Sequence, residues 1–578
     1  MLLAPRTVSA QASAGITGTV TDTSGAVIRG AQVTITNEGT GVSVHTVTES
    51  AGTYSFKGIL PATYTVSVDA PGFKKALKNG VNVEVSTNST VDFTLSAGAA
   101  SETVQVSANA IALNTTQPEL GSTIEPVVVD ALPTEVSGRG RQVDELQFLA
   151  PGTTGSTFSH RVSGGVDFEE EIVYNGIPAP QPETEGYSTN FNPPFDLVEE
   201  SKVERSTFSA QFGLGQGAIT YQMKSGTNQY HGSAFEINRN SLFDSVGFFN
   251  GKSWGGSGRP PTDHENNYGF TAGGPIRIPH LYDGRNKTFG IYSQEWYKQN
   301  QENTGLSTVP TTQETTGDFS DFVNGSTGAL IPIYDPTTGQ QFMGCSGGQP
   351  NVICPNRISA NAKLLIPYIP APDRTGSGIG GLIDNKNFAP NSFPNIQHVW
   401  GFVVDQNLTP TQSVHYAEWR NTYSTTDFDQ SPLVLAPNPL NSMKYEPAMG
   451  SIFLLNYSNA LTPHLVMTAG VGWIGEINNQ FNDTKGCGVS GGCSSIYPQI
   501  SDEAIPADIT FSGPNSGTQW GTDGSWLESI NRKLGIAIVN NWLWTKGRHT
   551  FNIGGEYRRA YQDDNEEQTY GAQFSFSN

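Results

Sequence analysis

Several strings in this chain have residue types that could do chemistry. His415 and Glu418 stand in HYAE, a spacing at which a helix could hold a zinc ion, and His549 lies downstream as a third donor. The segment around them alternates like a strand, however. Residues three apart on a strand point to opposite faces, so the two donors diverge. Gly344–Gly348 (GCSGG) and Gly488–Gly492 (GVSGG) both match Gly-x-Ser-x-Gly. A nucleophile elbow needs an apolar strand before the serine and a helix after it. Both strings instead sit beside cysteines in polar, Gly-rich stretches and read as turns. YDGRNKT (282–288) reads as a tight turn rather than a cation loop. DDNEEQ (563–568) reads as a solvated loop. No cofactor, metal site or catalytic residue is expected.

The cysteines carry chemistry of another kind. The chain has 4, in two close pairs, Cys345/Cys354 and Cys487/Cys493. In an exported protein such pairs read as two disulfides closing small loops. Export is suggested by Ala10-Gln11-Ala12, a small-x-small cleavage pattern. The apolar core that should precede it is nearly missing, so residues 1–14 read as the remnant of a longer signal peptide.

Composition bounds the rest. The chain has 578 residues, 65 Gly and 35 Pro, and aromatics are 10% against 15% charged residues. That mix suits strands and turns and argues against a helical protein. The formal net charge of −21 argues against nucleic-acid binding. No apolar run is long enough for a membrane helix, but a β-barrel needs only about 10 alternating residues per strand.

Residues 15–97 alternate Val and Ile with Thr between Gly-bounded turns, the pattern of a small β-sandwich. They resemble the carboxypeptidase regulatory-like domain, a transthyretin/Ig-like sandwich. The matching residues are Gly18, Val20, Asp22, Gly25, Gly30-Ala31-x-Val33, Gly52-x-Tyr54-x-Phe56 and Pro61-x-x-Tyr64, with Ala62 where the family often has Gly. The resemblance implies a non-enzymatic module of the carbohydrate-binding-like fold.

Residues 98–119 are small and polar apart from the extended stretch Glu102-Thr103-Val104-Gln105-Val106-Ser107. A strand with free edges can be captured by another protein's sheet. Residues 120–225 mix short strands with a short helix near 141–149. The motifs Leu132-Pro133, Tyr174-Asn175-Gly176-Ile177, Phe208–Gly213 and Lys224-Ser225-Gly226-Thr227-Asn228-x-x-His231-Gly232-Ser233 resemble the plug region of Oar-like TonB-dependent outer-membrane transporters. That group often has Asp in place of Asn175. The resemblance implies that Glu102–Ser107 is the TonB box and that the partner is TonB of the inner-membrane energy-transducing complex. It also implies contact with outer-membrane lipid in a Gram-negative cell, a periplasmic N-terminal domain and a transported substrate that the sequence does not name.

Residues 226–578 read as ten strands near 231–240, 266–276, 287–298, 398–407, 413–424, 449–459, 464–475, 532–545, 548–560 and 567–577. Leu465, Met467, Ala469, Val471 and Trp473 share one face, opposite Thr468, Gly470 and Gly472. Phe551, Ile553 and Tyr557 share another, opposite Asn552, Glu556 and Arg558. Phe235 and Ile237 are expected to face lipid, with Ala234, Glu236 and Asn238 toward a lumen. Trp473, Trp542 and Trp544 fit an interfacial girdle. The connections alternate long and short, as in an outer-membrane barrel with short periplasmic turns. Plugged transporters use about 22 strands, so the chain reads as the N-terminal part of such a barrel. The fold class is therefore mainly β: a sandwich, a small α/β plug and part of an antiparallel barrel. A secreted adhesive protein of several sandwiches and a zinc peptidase with a regulatory domain are the alternatives.

Overall fold

The computed structural model describes residues 14–84, 87–98, 103–105, 120–124, 138–156, 159–167, 169–179, 189–205, 211–212, 216–245, 260, 262–302, 305–388, 392–409, 411–428, 443–462, 464–482, 508–512, 528–546, 549–567 and 573–577. The 1–14 remnant (except Ala14), Leu132-Pro133, Phe208–Ala210, Cys487, Cys493, the GVSGG string and Glu102, Val106 and Ser107 lie outside them.

The N-terminal segment is a two-sheet sandwich. One sheet is built on Ala14–Asp22 and Thr53–Ile59, the other on Ser43–Val47, Gln32–Asn37, Ala62–Asp69 and Lys75–Val83 in spatial order. Alternation puts Ile16, Val20, Val33, Ile35, Tyr54, Phe56, Val66 and Val68 between the sheets. Tyr54 donates its hydroxyl to the Val91 carbonyl at 2.6 Å, so its one polar atom is paired inside the core. Gly18 is required by proximity: a Cβ there would stand 1.9 Å from the Val91 oxygen.

A second, five-stranded sheet follows, ordered Leu120–Ile124, Val198–Arg205, Gly217–Met223, Glu170–Tyr174 and Ile177–Pro178. Its strand Gly217–Met223 is buried throughout, as is Glu170–Tyr174. The short helix near 141–149 is a 3₁₀ helix, Val143–Leu149. This inner domain lies against one face of a large sheet and shares a core with it, Tyr174, Ile177 and Leu197 packing with Trp419, Leu454 and Val539.

The large sheet has nine strands, each paired antiparallel with its neighbour in sequence: His231–Asn240, Asp263–Pro275, Thr288–Glu302, Ser392–Thr409, Gln412–Phe428, Met443–Thr462, Leu465–Asn482, Glu528–Lys546 and His549–Glu567. The tenth expected strand does not join it. Gln573–Ser577 pairs in parallel with Asp508–Ser512 instead. The acidic string is not a loop either, because Asp563–Glu567 continue the last ladder opposite Glu528–Arg532. Strands such as Met443–Thr462 outrun their alternating centres, since the hydrogen-bond ladder continues where the two-residue apolar period has ended.

The sheet has an inward and an outward face. Leu455, Val471, Trp473, Ile538, Trp542, Trp544, Phe551, Ile553 and Tyr557 are exposed on the outward side. Trp542 and Trp544 lie near the end of Glu528–Lys546, paired with Ile553 and Phe551. Trp473 lies in mid-strand, paired with Phe453 and Ile536. The first strand reverses its expected orientation. Phe235 and Ile237 lie opposite Gly269 and Asn267 on the inward side, and Glu236 lies opposite the exposed Tyr268. The reason is a contact with the inner domain: the Arg141 guanidinium sits 3.7 Å from the Phe235 ring centroid.

The long connection 303–391 carries a helix at Ala360–Leu365, a 3₁₀ turn at Ile366–Tyr368 and the Cys345–Cys354 disulfide, with Cα atoms 5.3 Å apart. Gly344, Gly347 and Gly348 all have positive φ, so GCSGG is a chain of turns with no helix behind its serine.

Candidate functional site: the inner domain against the sheet wall

The inward face is where charged residues interrupt an otherwise alternating pattern, and several of them meet the inner domain. Glu295 of strand Thr288–Glu302 accepts from Arg141 Nη2 at 3.0 Å and from the Phe195 backbone N–H at 2.8 Å. Arg141 also reaches Asp196 at 3.1 Å. Arg558 of the last strand pairs with the buried Glu171. Asn190 donates to Glu476 at 2.7 Å, and the Trp419 indole N–H donates to the Phe191 carbonyl at 2.7 Å. Trp419 further holds Tyr174 edge-on at 5.1 Å.

A polar chain threads the middle of the contact. Asp405 holds His415 Nδ1 at 2.6 Å, and His415 Nε2 meets Asn175 Nδ2 at 2.5 Å. Asn175 Oδ1 accepts the Met223 N–H at 2.8 Å, and Asn456 donates to the Asn175 carbonyl at 3.1 Å. Asn175 has φ 49°, the left-handed region that Asn tolerates better than most residues. It thus ends the strand Glu170–Tyr174 and supplies both hydrogen-bonding atoms of its side chain. Glu418 points the other way and accepts from Tyr416 on the outward face. His415 and Glu418 therefore share no ligand.

Shape complements charge. A Cβ at Gly450 would stand 1.8 Å from the Asn190 oxygen, at Gly472 2.7 Å from Ile177 Cγ2, and at Gly401 2.9 Å from Leu197 Cδ1. The wall is hollowed where the inner domain projects. Within the inner domain Asp144 is fully enclosed. Burial first, then the neighbouring Glu145, pushes its carboxyl up to about 7.

Of the stretch expected to couple to TonB, Thr103–Gln105 form a short parallel strand on the edge of the sandwich: Thr103 pairs with Lys75, Val104 with Ala76 and Gln105 with Leu77. Its edge is thus partnered within the chain, where the sequence suggested an isolated strand.

Sequence reasoning missed Arg141, His415 with Asp405, and Trp419 as contact residues. A usable signal existed, since Glu295, Asp405 and His415 all fall on the inward phase of their strands.

An inward face that holds a domain and an outward face of apolar and aromatic side chains define a membrane β-barrel wall. The outer membrane beta barrel domain model matches residues 222–578, so the chain belongs to that family and its place is the outer membrane. The carboxypeptidase regulatory-like domain model matches residues 15–96. No curated protein sequence matches the chain. Among solved structures it is similar to the outer membrane transporter YddB from Escherichia coli, with 10% identity and TM-score 0.46 over 79% of this chain and 50% of that one. It is also similar to a mutant of the ferric enterobactin receptor PfeA from Pseudomonas aeruginosa, with 12% identity and TM-score 0.40 over 77% of this chain and 49% of that one. The chain spans about half the length of these structures.

Proposed function

We propose that this chain is the N-terminal part of an Oar-like TonB-dependent outer-membrane transporter, in which residues 120–225 are the plug and substrate passes through the lumen when the plug is rearranged. The observation that carries the reading is the seating of the inner domain on the inward face through Arg141–Glu295, Asn175–His415–Asp405 and Arg558–Glu171. A secreted sandwich protein has no use for an outward face bearing Trp473, Ile538, Trp542 and Ile553 in the open. The partners proposed are TonB, outer-membrane lipid and a substrate held by the long loops. The extracellular loops are proposed to carry both cysteine pairs, Cys345/Cys354 and Cys487/Cys493, as disulfides.

Glu102–Ser107 is the proposed TonB box. Capture by strand addition uses backbone N–H and C=O groups, so most side-chain changes are mild. Proline removes a donor and fixes φ. Val104→Pro in the full-length transporter is expected to abolish uptake while insertion and surface binding persist, whereas Thr103→Ala or Gln105→Ala has little effect. Normal uptake by Val104→Pro cells, with no cross-link from position 104 to TonB, would remove this mechanism.

A further inference from the structure

Among the described residues the sandwich touches the barrel wall at the end with the short turns. The Asn228 N–H donates to the Gly39 carbonyl at 2.9 Å, and Asn228 also bonds Asn286 in the short connection 276–287. Glu49 lies 3.6 Å from His464, in the short turn between Met443–Thr462 and Leu465–Asn482. A Cβ at Gly58 would stand 2.5 Å from Val466 Cγ1. Short turns mark the periplasmic side of an outer-membrane barrel. The sandwich therefore lies across the periplasmic mouth of this part of the wall.

It does not fill that mouth. A partly open cavity of about 500 Å³ lies between three walls. The sandwich contributes Lys57 and Pro61, the inner domain Glu199 and Ser225, and the barrel wall Asn407 and Ser413. The cavity also reaches His415 and Asp405, the buried pair that holds Asn175. A space bounded by three separate bodies opens when any one of them leaves. Among the described residues the polar ties from the sandwich to the barrel end are the exposed Glu49–His464 pair and the Asn228–Gly39 backbone hydrogen bond, and strand Thr53–Ile59 packs on Met443–Thr462 and Leu465–Asn482.

We propose that the regulatory-like sandwich is a gate on the periplasmic mouth, closing the cavity below the inner domain and opening by undocking from the connection 276–287 and from His464. This goes beyond the transporter reading, and it stands or falls independently of residues 102–107 and of TonB.

The test uses the full chain in outer-membrane vesicles. Two cysteine pairs are made separately, Gly58→Cys with Val466→Cys and Glu49→Cys with His464→Cys. The second serves where the positive φ of Gly58, 65°, strains a side chain. Each is combined with Asn407→Cys in the cavity. Mild oxidation should give an intramolecular cross-link with either pair, read by mass spectrometry. Biotin–maleimide labelling of the peptide carrying position 407 should then be at least tenfold slower in the oxidised protein than after reduction. Failure of both pairs to cross-link would show that the sandwich does not dock there. Cross-linking with unchanged labelling would show that it docks without closing the cavity.

Discussion

The sandwich and the inner domain are both small β-structures with buried centres, yet their interiors are made of different material. Between the two sheets of the sandwich lie Ile16, Val20, Val33, Ile35, Phe56, Val66 and Val68, and among its described residues the buried polar ones are Thr48 and Ser89. The inner domain buries Gln142, Asp144, Glu171, Asn175, Asn190, Lys202 and Glu204, and meets Glu295, Asp405 and His415 across the wall. An apolar core gains from staying dry. A polar contact loses less when water replaces the partner, because its groups are rehydrated on separation. One interior is dry and apolar, and the other is polar and paired across the wall.

The sharpest way to break that contrast is to remove one charge from the contact. Arg141→Met leaves Glu295 and Asp196 without their cation. An uncompensated buried charge costs about 3–5 kcal/mol. Proteolysis should then release the inner domain from the wall, while the unfolding transition of the sandwich does not move. The converse substitution, Phe56→Ala, should cost the sandwich about 3–5 kcal/mol in denaturant unfolding and leave inner-domain protection intact. Equal effects of both variants on both regions would mean that the two regions fold as one unit.

Gly450→Ala tests shape apart from charge. Its methyl group would overlap the Asn190 carbonyl, and overpacking of this kind costs about 1–3 kcal/mol. Faster amide exchange is expected at residues 189–192 and no change at residues 53–69. The last effect is a slope. The Asp144 carboxyl, raised by burial to about 7, holds its proton to higher pH in the folded protein than in the unfolded one. Its contribution is full below the unfolded value near 3.8 and is lost as pH rises toward 7. The loss is at most about 1.4 kcal/mol per pH unit. Asp144→Asn should flatten that part of the stability curve, and an unchanged curve would show that Asp144 titrates alike in both states.

What could be read from the sequence follows the same division. The sandwich was legible because its strands alternate and its turns carry glycine. The outward faces of 465–473 and 551–557 were legible for the same reason. Phe235 was not, because its ring lies under Arg141, 94 positions earlier in the chain. No local period reports such a contact. Asn175 and His415, 240 residues apart, are hidden in the same way. The acidic run 563–567 misled because charge resembles a loop even where the ladder continues. Gly470 and Gly472 were seen to oppose the apolar face, but their use appears only with Ile177 beside them: their Cβ atoms would come within 3.0 Å and 2.7 Å of its side chain.

Those glycines have a mechanical meaning. A salt bridge resists motion in every direction, because any displacement lengthens it. A slot of missing side chains resists motion by shape alone. Ile177 sits over Gly470 and Gly472, with the Leu454 and Val539 side chains bordering the slot sideways and the buried Thr468 and Ile474 closing it along the strand. The slot is therefore a socket: it fixes where Ile177 sits in every direction within the plane of the wall, and it does so without a bond.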